Sequence, residues 1–354
     1  MMLKESKLLT LRGLKKAGLF TFFKNSDWRR RRLLILAYHG ISIDDEHLWN
    51  PALFMSADDF ADRLRLIKEF NCTVLPLSEA LTRMFANDLP ERSVALTFDD
   101  GTYDFYKIAH PVIKQFGFPV TLYLTTFYSY YQKPVFDVMC SYLIWKGRGS
   151  KLDLRDLTGQ PLALELSEPL RRAEALTEIQ NYVQLNHLSA EEKDSLLARL
   201  ASLLQVDYDD LLSKRILQIM SPEEARQLAS EGVDIQLHTH RHRTPNDRTK
   251  FLREIVDNQN SILSMTGSVA NHFCYPSGVY DGAFFPWLEE AGVASATTCT
   301  PALAKQTSDP LLLPRLIDSP NLSPLEFEGW LAGVSSLLPQ KESPKKVAPR
   351  VLRK

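Results

Sequence analysis

The stretch Val94-Ala-Leu-Thr-Phe-Asp-Asp-Gly101 is an apolar run that ends in two adjacent aspartates and a glycine. Val94 to Phe98 has the β-branched and aromatic residues typical of a buried strand. Asp99 and Asp100 therefore lie where a strand gives way to a loop, the edge of a parallel sheet at which ligands and catalytic groups collect. Successive strand residues point to opposite sides, so the two carboxylates can take different roles. A solvated Asp-Gly turn is the alternative interpretation of this stretch alone.

The bulk composition excludes few functions. The 354 residues are 44% hydrophobic and 24% charged, which is ordinary for a globular protein, and they suffice for one large domain or two average ones. The net charge of −1 favours no nucleic-acid partner. The four cysteines are widely spaced and form no CxxC pair, which argues against a disulfide framework and a zinc finger and suits a reducing compartment.

The N-terminal segment, residues 1–32, is basic and amphipathic. Apolar residues alternate with lysine and arginine from Leu8 to Phe23, and the run Arg29 to Arg32 follows. Such a segment can lie on an anionic membrane surface, although a solvated helix with a charged linker is the simpler interpretation. Without a signal-peptide pattern or a run of about 20 apolar residues, we expect a cytoplasmic protein that can contact the inner membrane face peripherally.

Strand and helix signals alternate along most of the chain. Predicted strands are Leu33–Tyr38, Thr73–Leu75, Val94–Phe98, Pro119–Leu124, Val233–Leu237, His272–Tyr275, Val293–Thr297 and Leu311–Ile317. Helices are predicted between them, including one that starts at the capping sequence Ser221-Pro-Glu-Glu224. Repeated βα units predict an α/β fold with a parallel sheet, and seven or eight strands favour a (β/α) barrel over residues 33–335. We expect residues 127–219 to be a helical insertion without a clear strand, and residues 336–354 to be a disordered tail.

Three histidines follow the predicted strand that ends at Leu237, in the sequence Leu237-His-Thr-His-Arg-His242. Two of them, His238 and His242, could join a carboxylate from another strand end to hold a Zn²⁺ ion with open positions for water and substrate. A single histidine is usually structural, but three within five residues at a strand end are not easily explained by packing. This pattern predicts a metal site.

Two further strand ends carry residues that could react. In Phe273-Cys-Tyr-Pro-Ser-Gly278, proline and glycine define a tight loop that could aim a backbone N–H at a developing oxyanion, with an ordinary turn as the alternative. The sequence Ala37-Tyr-His-Gly40 ends the first strand, and His39 could serve as a general acid or simply lie at the rim.

Taken together, these motifs resemble those of the polysaccharide deacetylases, also called the NodB-homology or carbohydrate esterase 4 family. The matching segments are Thr97-Phe-Asp-Asp-Gly101, His238-Thr-x-x-His242 and Tyr275-Pro-Ser-Gly278, in the family's order. The early Tyr38-His39-Gly40 resembles the subgroup that deacetylates poly-N-acetylglucosamine. The resemblance covers about residues 33–317, apart from the insertion.

The resemblance implies a distorted (β/α) barrel and a metal-dependent hydrolase that removes acetyl groups from an N-acetylated sugar, glycolipid or polysaccharide. Asp100, His238 and His242 would bind the divalent metal, with Zn²⁺ expected first and Co²⁺, Ni²⁺ or Mn²⁺ as alternatives. Asp99 would be the general base that activates a metal-bound water. His39 would protonate the leaving amine.

The third motif, Tyr275-Pro276-Ser277, would contribute to the oxyanion and substrate site, with the backbone N–H of Ser277 as the expected donor. Two positions depart from the family pattern. Cys274 stands where the family often has an arginine that orients the base, and Arg315 is our candidate to replace it. Ser277 stands where an aromatic residue is usual.

Two other functions remain open from the sequence. An amidohydrolase-type metal enzyme would use His238 and His240 as an HxH pair, together with a metal-bridging lysine and further histidines. A glycan-binding pseudoenzyme would keep the fold without activity; the departures at Cys274 and Ser277 leave this reading open, whereas the intact aspartates and histidines argue against it.

Overall fold

One curled, mainly parallel sheet organises the fold. The computed structural model describes residues 2–340, with side chains from Glu5 onward, and nine of its strands form this sheet. The strands are β1 (Arg32–Tyr38), β2 (Gly40–Ile41), β3 (Phe54–Met55), β4 (Thr73–Val74), β5 (Ser93–Phe98), β6 (Thr121–Leu124), β7 (Lys151–Asp153), β8 (Ala163–Glu165), β9 (Asp234–Leu237), β10 (His272–Cys274), β11 (Ser295–Thr297), β12 (Ala304–Lys305) and β13 (Leu316–Ile317).

The strand order β11-β10-β9-β6-β5-β1 brings the predicted functional ends to one edge. These neighbours all pair in parallel, so their carboxyl ends point the same way. The register of β1 against β5 pairs Tyr38 with Phe98. His39 and Asp99 are therefore adjacent at the strand ends, although 60 positions separate them in sequence.

Residues 313–317 join the two ends of the curled sheet. Leu313 forms a parallel bridge with Thr297 at the end of β11, and Leu316 pairs in parallel with Leu36 of β1. The sheet is thereby curled into a half-barrel, and the predicted distorted (β/α) barrel is confirmed. The predicted strand Leu311–Ile317 is largely irregular, because Pro314 has no N–H to donate to a ladder.

Helices cover the sheet and build the insertion. They are α1 (Met2–Lys16), α2 (Leu19–Lys24), α3 (Asp27–Arg30), α4 (Glu46–Trp49), α5 (Ala57–Glu69), α6 (Leu77–Phe85), α7 (His110–Phe116), α8 (Phe127–Tyr131), α9 (Phe136–Lys146), α10 (Arg155–Thr158), α11 (Pro169–Leu185), α12 (Ala190–Leu203), α13 (Tyr208–Ser213), α14 (Pro222–Ser230), α15 (Arg248–Thr266), α16 (Phe284–Glu290) and α17 (Pro324–Ala332).

Local sequence signals account for several helix boundaries. The predicted capping box forms at Ser221, whose hydroxyl accepts the Glu224 N–H while the Glu224 carboxylate accepts the Ser221 N–H. The helical segment between β5 and β6 includes a π-helix over Phe105–Ala109. Pro111 follows at the start of α7, and a proline lacks the N–H that an α-helical turn would use.

The insertion, residues 127–219, has a hydrophobic core of its own. Buried side chains of α9, α11 and α12 meet there, among them Leu143, Ile179 and Leu200. The sequence showed no clear strand in this segment, yet β7 and β8 pair antiparallel as a small hairpin. Each strand has only three residues, too few for an alternating pattern to be recognised in the sequence.

The N-terminal helices pack on the barrel. Leu11 of α1 and Phe20 of α2 are buried together with Ala332 at the end of α17, whereas Leu9 and Phe22 are exposed. None of the described helices is long and apolar enough to cross a bilayer. Membrane contact and a cytoplasmic location stay predictions. Of the predicted disordered tail, residues 341–354 lie outside the described residues, while residues 336–337 end a 3-10 helix.

Arg29 fastens this N-terminal region to the sheet. It was expected in a solvated charged run, but its side chain is fully buried. Its guanidinium donates to the carbonyl oxygens of Leu331 at 3.0 Å, Arg32 at 2.7 Å and Ser93 at 3.2 Å. Burial lowers the pKa of Arg29 to about 10, so it remains charged at neutral pH.

We expect Arg29→Ala to lower the free energy of unfolding by about 3 kcal/mol, because three carbonyl groups lose a charged donor. Urea denaturation measures this change. Arg30→Ala is the matched control, since Arg30 is exposed. Equal stability of the two variants would show that the Arg29 contacts do not hold the N-terminal region in place.

Candidate active site

The two aspartates after β5 point to different partners. Asp99 is buried and faces Arg315, whereas Asp100 is partly exposed and faces His238 and His242. Asp100 adopts a left-handed backbone conformation with φ of 71°. This turn directs the two carboxylates to different sides immediately after the strand, as expected for adjacent residues at a strand end.

Gly101 allows this turn to form. Its φ is +80°, and a Cβ atom at this position would lie 2.2 Å from Cδ1 of Leu124 on the neighbouring strand β6. A side chain is therefore excluded by conformation and by space. The Gly101 carbonyl also accepts the Met220 N–H at 3.0 Å, which links the turn to the end of the insertion.

Asp100, His238 and His242 form a candidate metal site. Oδ1 of Asp100 lies 3.1 Å from Nε2 of His238 and 3.2 Å from Nε2 of His242. One ligand atom from each residue lies within 4.8 Å of the others. Burial alone would lower the pKa of His242, but the Asp100 carboxylate raises it. The geometry thus favours a positive charge among the three groups.

The hydrogen bond on the far side of His238 suits a metal ligand. Nδ1 of His238 donates to the carbonyl oxygen of Cys274 at 2.9 Å, since a carbonyl can only accept. In a neutral ring Nε2 then carries a lone pair that faces Asp100. A cation between these atoms satisfies both groups, so the donor set fits a divalent metal such as Zn²⁺.

Asp99, His238 and Cys274 form a second group with ligand atoms equally close together. It fits a metal less well, because the Arg315 guanidinium already neutralises Asp99 and lies 3.0 Å from the Cys274 sulfur. Burial raises the pKa of the Cys274 thiol well above its ordinary value. The thiolate that a metal requires is therefore disfavoured.

Arg315 pairs with Asp99 through both carboxylate oxygens. Nη1 lies 2.7 Å from Oδ1 and Nη2 lies 2.8 Å from Oδ2, and the arginine is completely buried. Its Nε donates to the Thr298 carbonyl, and Nη1 also contacts the Thr97 hydroxyl. The structure thus places Arg315 beside the base that the resemblance implies, adjacent to Cys274.

The ion pair determines the charge on Asp99. Burial alone would raise the pKa of this carboxyl, but the Arg315 charge and its hydrogen bonds outweigh burial and lower the pKa to about 2. Asp99 is therefore ionised across the physiological pH range. It is also a weak base, because proton affinity falls with pKa.

His39 also lies close to Asp99, near the oxygen that Nη2 of Arg315 contacts. Its Nε2 is 3.6 Å from Oδ2 of Asp99, too far for a hydrogen bond. Its Nδ1 is buried and makes no hydrogen bond among the residues that the structure describes. His39 lines the same cleft as Asp100 and His242.

His240 is separate from the candidate metal site. Its Nδ1 lies 2.8 Å from the Thr126 hydroxyl, and its ring packs edge-on against Phe127. His238 and His240 therefore do not face a common ligand position. This geometry argues against the amidohydrolase interpretation, which requires both.

The third motif, Tyr275-Pro276-Ser277, is not part of the cleft lining. Tyr275 is completely buried and its hydroxyl donates to the Leu311 carbonyl at 3.1 Å, so its side chain faces the core. Pro276 begins a 3-10 turn in which Ser277 has a φ of 55° and is exposed. None of these three residues lines the cleft that contains Asp100. The oxyanion role of the Ser277 N–H stays a prediction.

Two buried polar residues of α15 support the loop that contains His238, His240 and His242, which we call the histidine loop. Neither was predicted from the sequence. Asn258 accepts the His238 N–H at 2.9 Å and donates to the Leu124 carbonyl, which joins β9 to β6. Glu254 accepts from the Arg241 N–H and from the guanidinium of Arg243. The sequence signal that could have identified Glu254 and Asn258 is a pair of polar residues four positions apart within the apolar face of a predicted helix.

The cleft beside the candidate metal site has a volume of about 520 Å³. Its floor includes His39, Asp100 and His242, and residues of the loop before β3 line one side. The insertion supplies the facing wall, through side chains that include Val138 and Leu176. The predicted insertion therefore belongs to the cleft.

Sequence comparisons agree with the motifs at this edge. The model of the polysaccharide deacetylase family matches residues 192–296, which include the histidine loop and the Tyr275 turn. YxkH of Bacillus subtilis, a protein named as a candidate polysaccharide deacetylase, is 30% identical over 94 residues. These residues make up 26% of this chain and 32% of YxkH, so the chain spans about a third of the length of this curated relative.

Solved structures share the fold. The Streptococcus pyogenes deacetylase PplD in complex with acetate is 18% identical with a TM-score of 0.55, and the match covers 86% of this chain and 98% of PplD. IcaB from Ammonifex degensii is 16% identical with a TM-score of 0.52, covering 86% of this chain and 97% of IcaB. At these identities the likeness shows the fold alone.

The fold, the partial family match and the motif order agree with one another. The aspartate pair, the histidine loop and the proline turn all follow parallel strands at the carboxyl edge of a curled sheet. The match to the polysaccharide deacetylase family, the family of the NodB-homology domain, covers residues 192–296 of this chain.

Proposed function

We propose that this protein is a metal-dependent hydrolase that removes N-acetyl groups from a carbohydrate. The observation that carries this proposal is the convergence of Asp100, His238 and His242 beside a buried, ionised Asp99. Asp100 and His242 line a cleft. Two histidines and a carboxylate make a three-ligand set of the kind found in catalytic zinc sites. The family match over residues 192–296 supports an N-acetylated sugar as the substrate.

Asp100, His238 and His242 would hold the metal. When bound there, a divalent cation supplies Lewis acidity, which polarises a carbonyl and lowers the pKa of water. Zn²⁺ is our first choice because nitrogen and carboxylate ligands suit it, and Co²⁺, Ni²⁺ and Mn²⁺ remain alternatives. The Cys274 carbonyl fixes the orientation of the His238 ring through Nδ1.

The chain's own groups account for both proton transfers. Asp99 accepts a proton from the attacking water while the water oxygen forms a bond to the acetamide carbonyl carbon. Arg315 holds both Asp99 oxygens and keeps the carboxylate ionised, and a carboxylate oxygen has a second lone pair for the incoming proton. His39 donates a proton to the leaving nitrogen as the carbon–nitrogen bond breaks, and the products are acetate and a free amine.

The proposed activity is tested by acetate release from N-acetylglucosamine oligomers. We expect release by the metal-loaded protein, and a fall in kcat of roughly 10²–10⁴-fold for Asp99→Asn, the range for losing a general base. Asp62→Asn, at an exposed position of α5, is the matched control. Full activity of Asp99→Asn would refute the base assignment, and a wild type without activity would favour a glycan-binding pseudoenzyme.

The metal site has a separate test in the metal content of purified variants. Loss of a residue that only hydrogen-bonds to a metal ligand weakens metal binding by roughly 10–100-fold. His242→Ala should weaken Zn²⁺ binding by more than this, because it removes a ligand itself. His240→Ala should keep the metal, since His240 contacts Thr126. The reverse pattern would support the HxH pair instead. Elemental analysis and competition with a chelator measure both variants.

The pH dependence of kcat/KM tests the role of Arg315. In Arg315→Met the buried Asp99 carboxylate loses its partner, so its pKa rises from about 2, by roughly 1–3 units. The ionised base is then lost at higher pH, and the acidic limb of the profile moves towards neutrality. Arg253→Met, at an exposed position of α15, is the control. Superimposable profiles would mean that Arg315 does not maintain the charge on Asp99.

A further inference from the structure

Asp104 is a buried carboxyl group in the segment that follows Asp100 and leads into the next helix. Its Oδ1 accepts the Ile41 N–H at 3.0 Å, so the side chain joins this segment to β2. A carboxyl group is costly to remove from water, and aspartate is rarely buried without a polar partner. The contact with Ile41 therefore offsets part of the cost of burying Asp104.

The backbone of β2 is held from two sides. The N–H groups of Gly40 and Ser42 donate to carbonyl oxygens within residues 53–55, at 3.1 and 2.9 Å, and so pair β2 with β3. The intervening Ile41 N–H donates to Asp104 instead. Asp104 therefore attaches the β2–β3 pair to the end of β5, where the two site aspartates lie.

His39 is the single residue between β1 and β2, and its ring depends on the backbone for its position. Its Nδ1 makes no hydrogen bond among the described residues, and its Nε2 is 3.6 Å from Oδ2 of Asp99. A histidine that transfers protons is commonly oriented by a group that contacts its second ring nitrogen. The described part of the chain gives Nδ1 of His39 no such partner, so the flanking strands set the direction of the ring.

The segment that carries Asp104 is itself fixed. The Tyr103 N–H donates to the Gln218 carbonyl at 2.8 Å, and the Gly101 carbonyl accepts the Met220 N–H at 3.0 Å. A π-helix begins at the residue after Asp104, and such turns are rare and frequent at functional sites. Asp104 is thus held at a fixed place relative to the turn after β5.

We propose that Asp104 is a positioning residue that aims His39 at the leaving nitrogen, by fixing β2 to the turn that carries Asp100. This inference rests on the proposed function, in which His39 is the general acid. Asp104 does not line the cleft, so it acts through His39 and not on the substrate. Because a misplacement of about 1 Å can cost roughly 10²-fold in rate, one hydrogen bond to the backbone is enough for this role.

The test compares two substrates that differ in their need for a general acid. The leaving nitrogen of an N-acetylglucosamine oligomer must gain a proton, whereas para-nitrophenyl acetate releases a stable phenolate that needs none. We expect Asp104→Ala to lower kcat for the oligomer by roughly 10²-fold with KM unchanged, and to change kcat for the ester little. Asp104→Leu, which fills the space of the carboxyl group without an acceptor, should behave in the same way. Asp104→Asn keeps an oxygen acceptor and should retain most of the activity.

Glu326→Ala is the matched control. Glu326 is another buried carboxylate that accepts a backbone N–H, that of Ser323 at 3.1 Å, but it caps α17 and does not line the cleft. This variant should lose stability and keep the wild-type ratio of kcat for the two substrates.

Four results would overturn the inference while leaving the proposed function in place. The first is unchanged oligomer kcat in Asp104→Ala and Asp104→Leu, and the second is an equal loss for both substrates. The third is a loss in Asp104→Asn as large as that in Asp104→Ala, since the charge and not the hydrogen bond would then matter. The fourth is failure of both Asp104→Ala and Asp104→Leu to fold, which would assign Asp104 a structural role.

Nuclear magnetic resonance follows the His39 ring without turnover. In protein labelled with carbon-13 at histidine, the signal of His39 is identified by its absence in His39→Ala. We expect this signal to shift in Asp104→Ala, and to keep its wild-type position in Asp104→Asn and Glu326→Ala. If the wild type releases no acetate from the oligomer, the proposed function fails and this measurement alone decides the inference. An unchanged His39 signal in Asp104→Ala would then overturn it.

Discussion

The buried ion pair between Asp99 and Arg315 is the contact on which the site depends. Both partners are almost completely removed from water, and each would be costly to bury without the other. The pair also joins the end of β5 to the segment that bridges β11 and β1. The same contact therefore links the ends of the curled sheet and keeps a carboxylate ionised next to the candidate metal ligands.

A second layer of buried polar residues holds those ligands in place. The Cys274 carbonyl orients His238, while Asn258 and Glu254 of α15 fasten the loop that carries His242. His242 itself adopts a left-handed conformation with φ of 53°, which is uncommon for a residue with a side chain. Such a conformation persists only where surrounding contacts support it, as the contacts of Glu254 do here.

The insertion gives this barrel its particular shape. It folds around its own apolar core, so it can present a firm wall to the cleft. Apolar side chains face the catalytic end of that wall, and the amides of α11 face the outer end. The barrel edge supplies His39, Asp100 and His242, and the insertion supplies one wall of the cleft that these residues line.

The sequence by itself determined the parallel strands, the capped helices and the strand ends that carry Asp99, Asp100, His238 and His242, because these depend on local periodicity and on residue type. The shared edge then followed from the parallel order of the strands. Only the tertiary structure decided the burial of Arg29, the hairpin of the insertion and the wall that the insertion builds. The family resemblance made Arg315 a candidate partner of Asp99, but only the tertiary structure decided that the two residues meet across 216 positions, because contacts between distant segments leave no periodic trace in the chain.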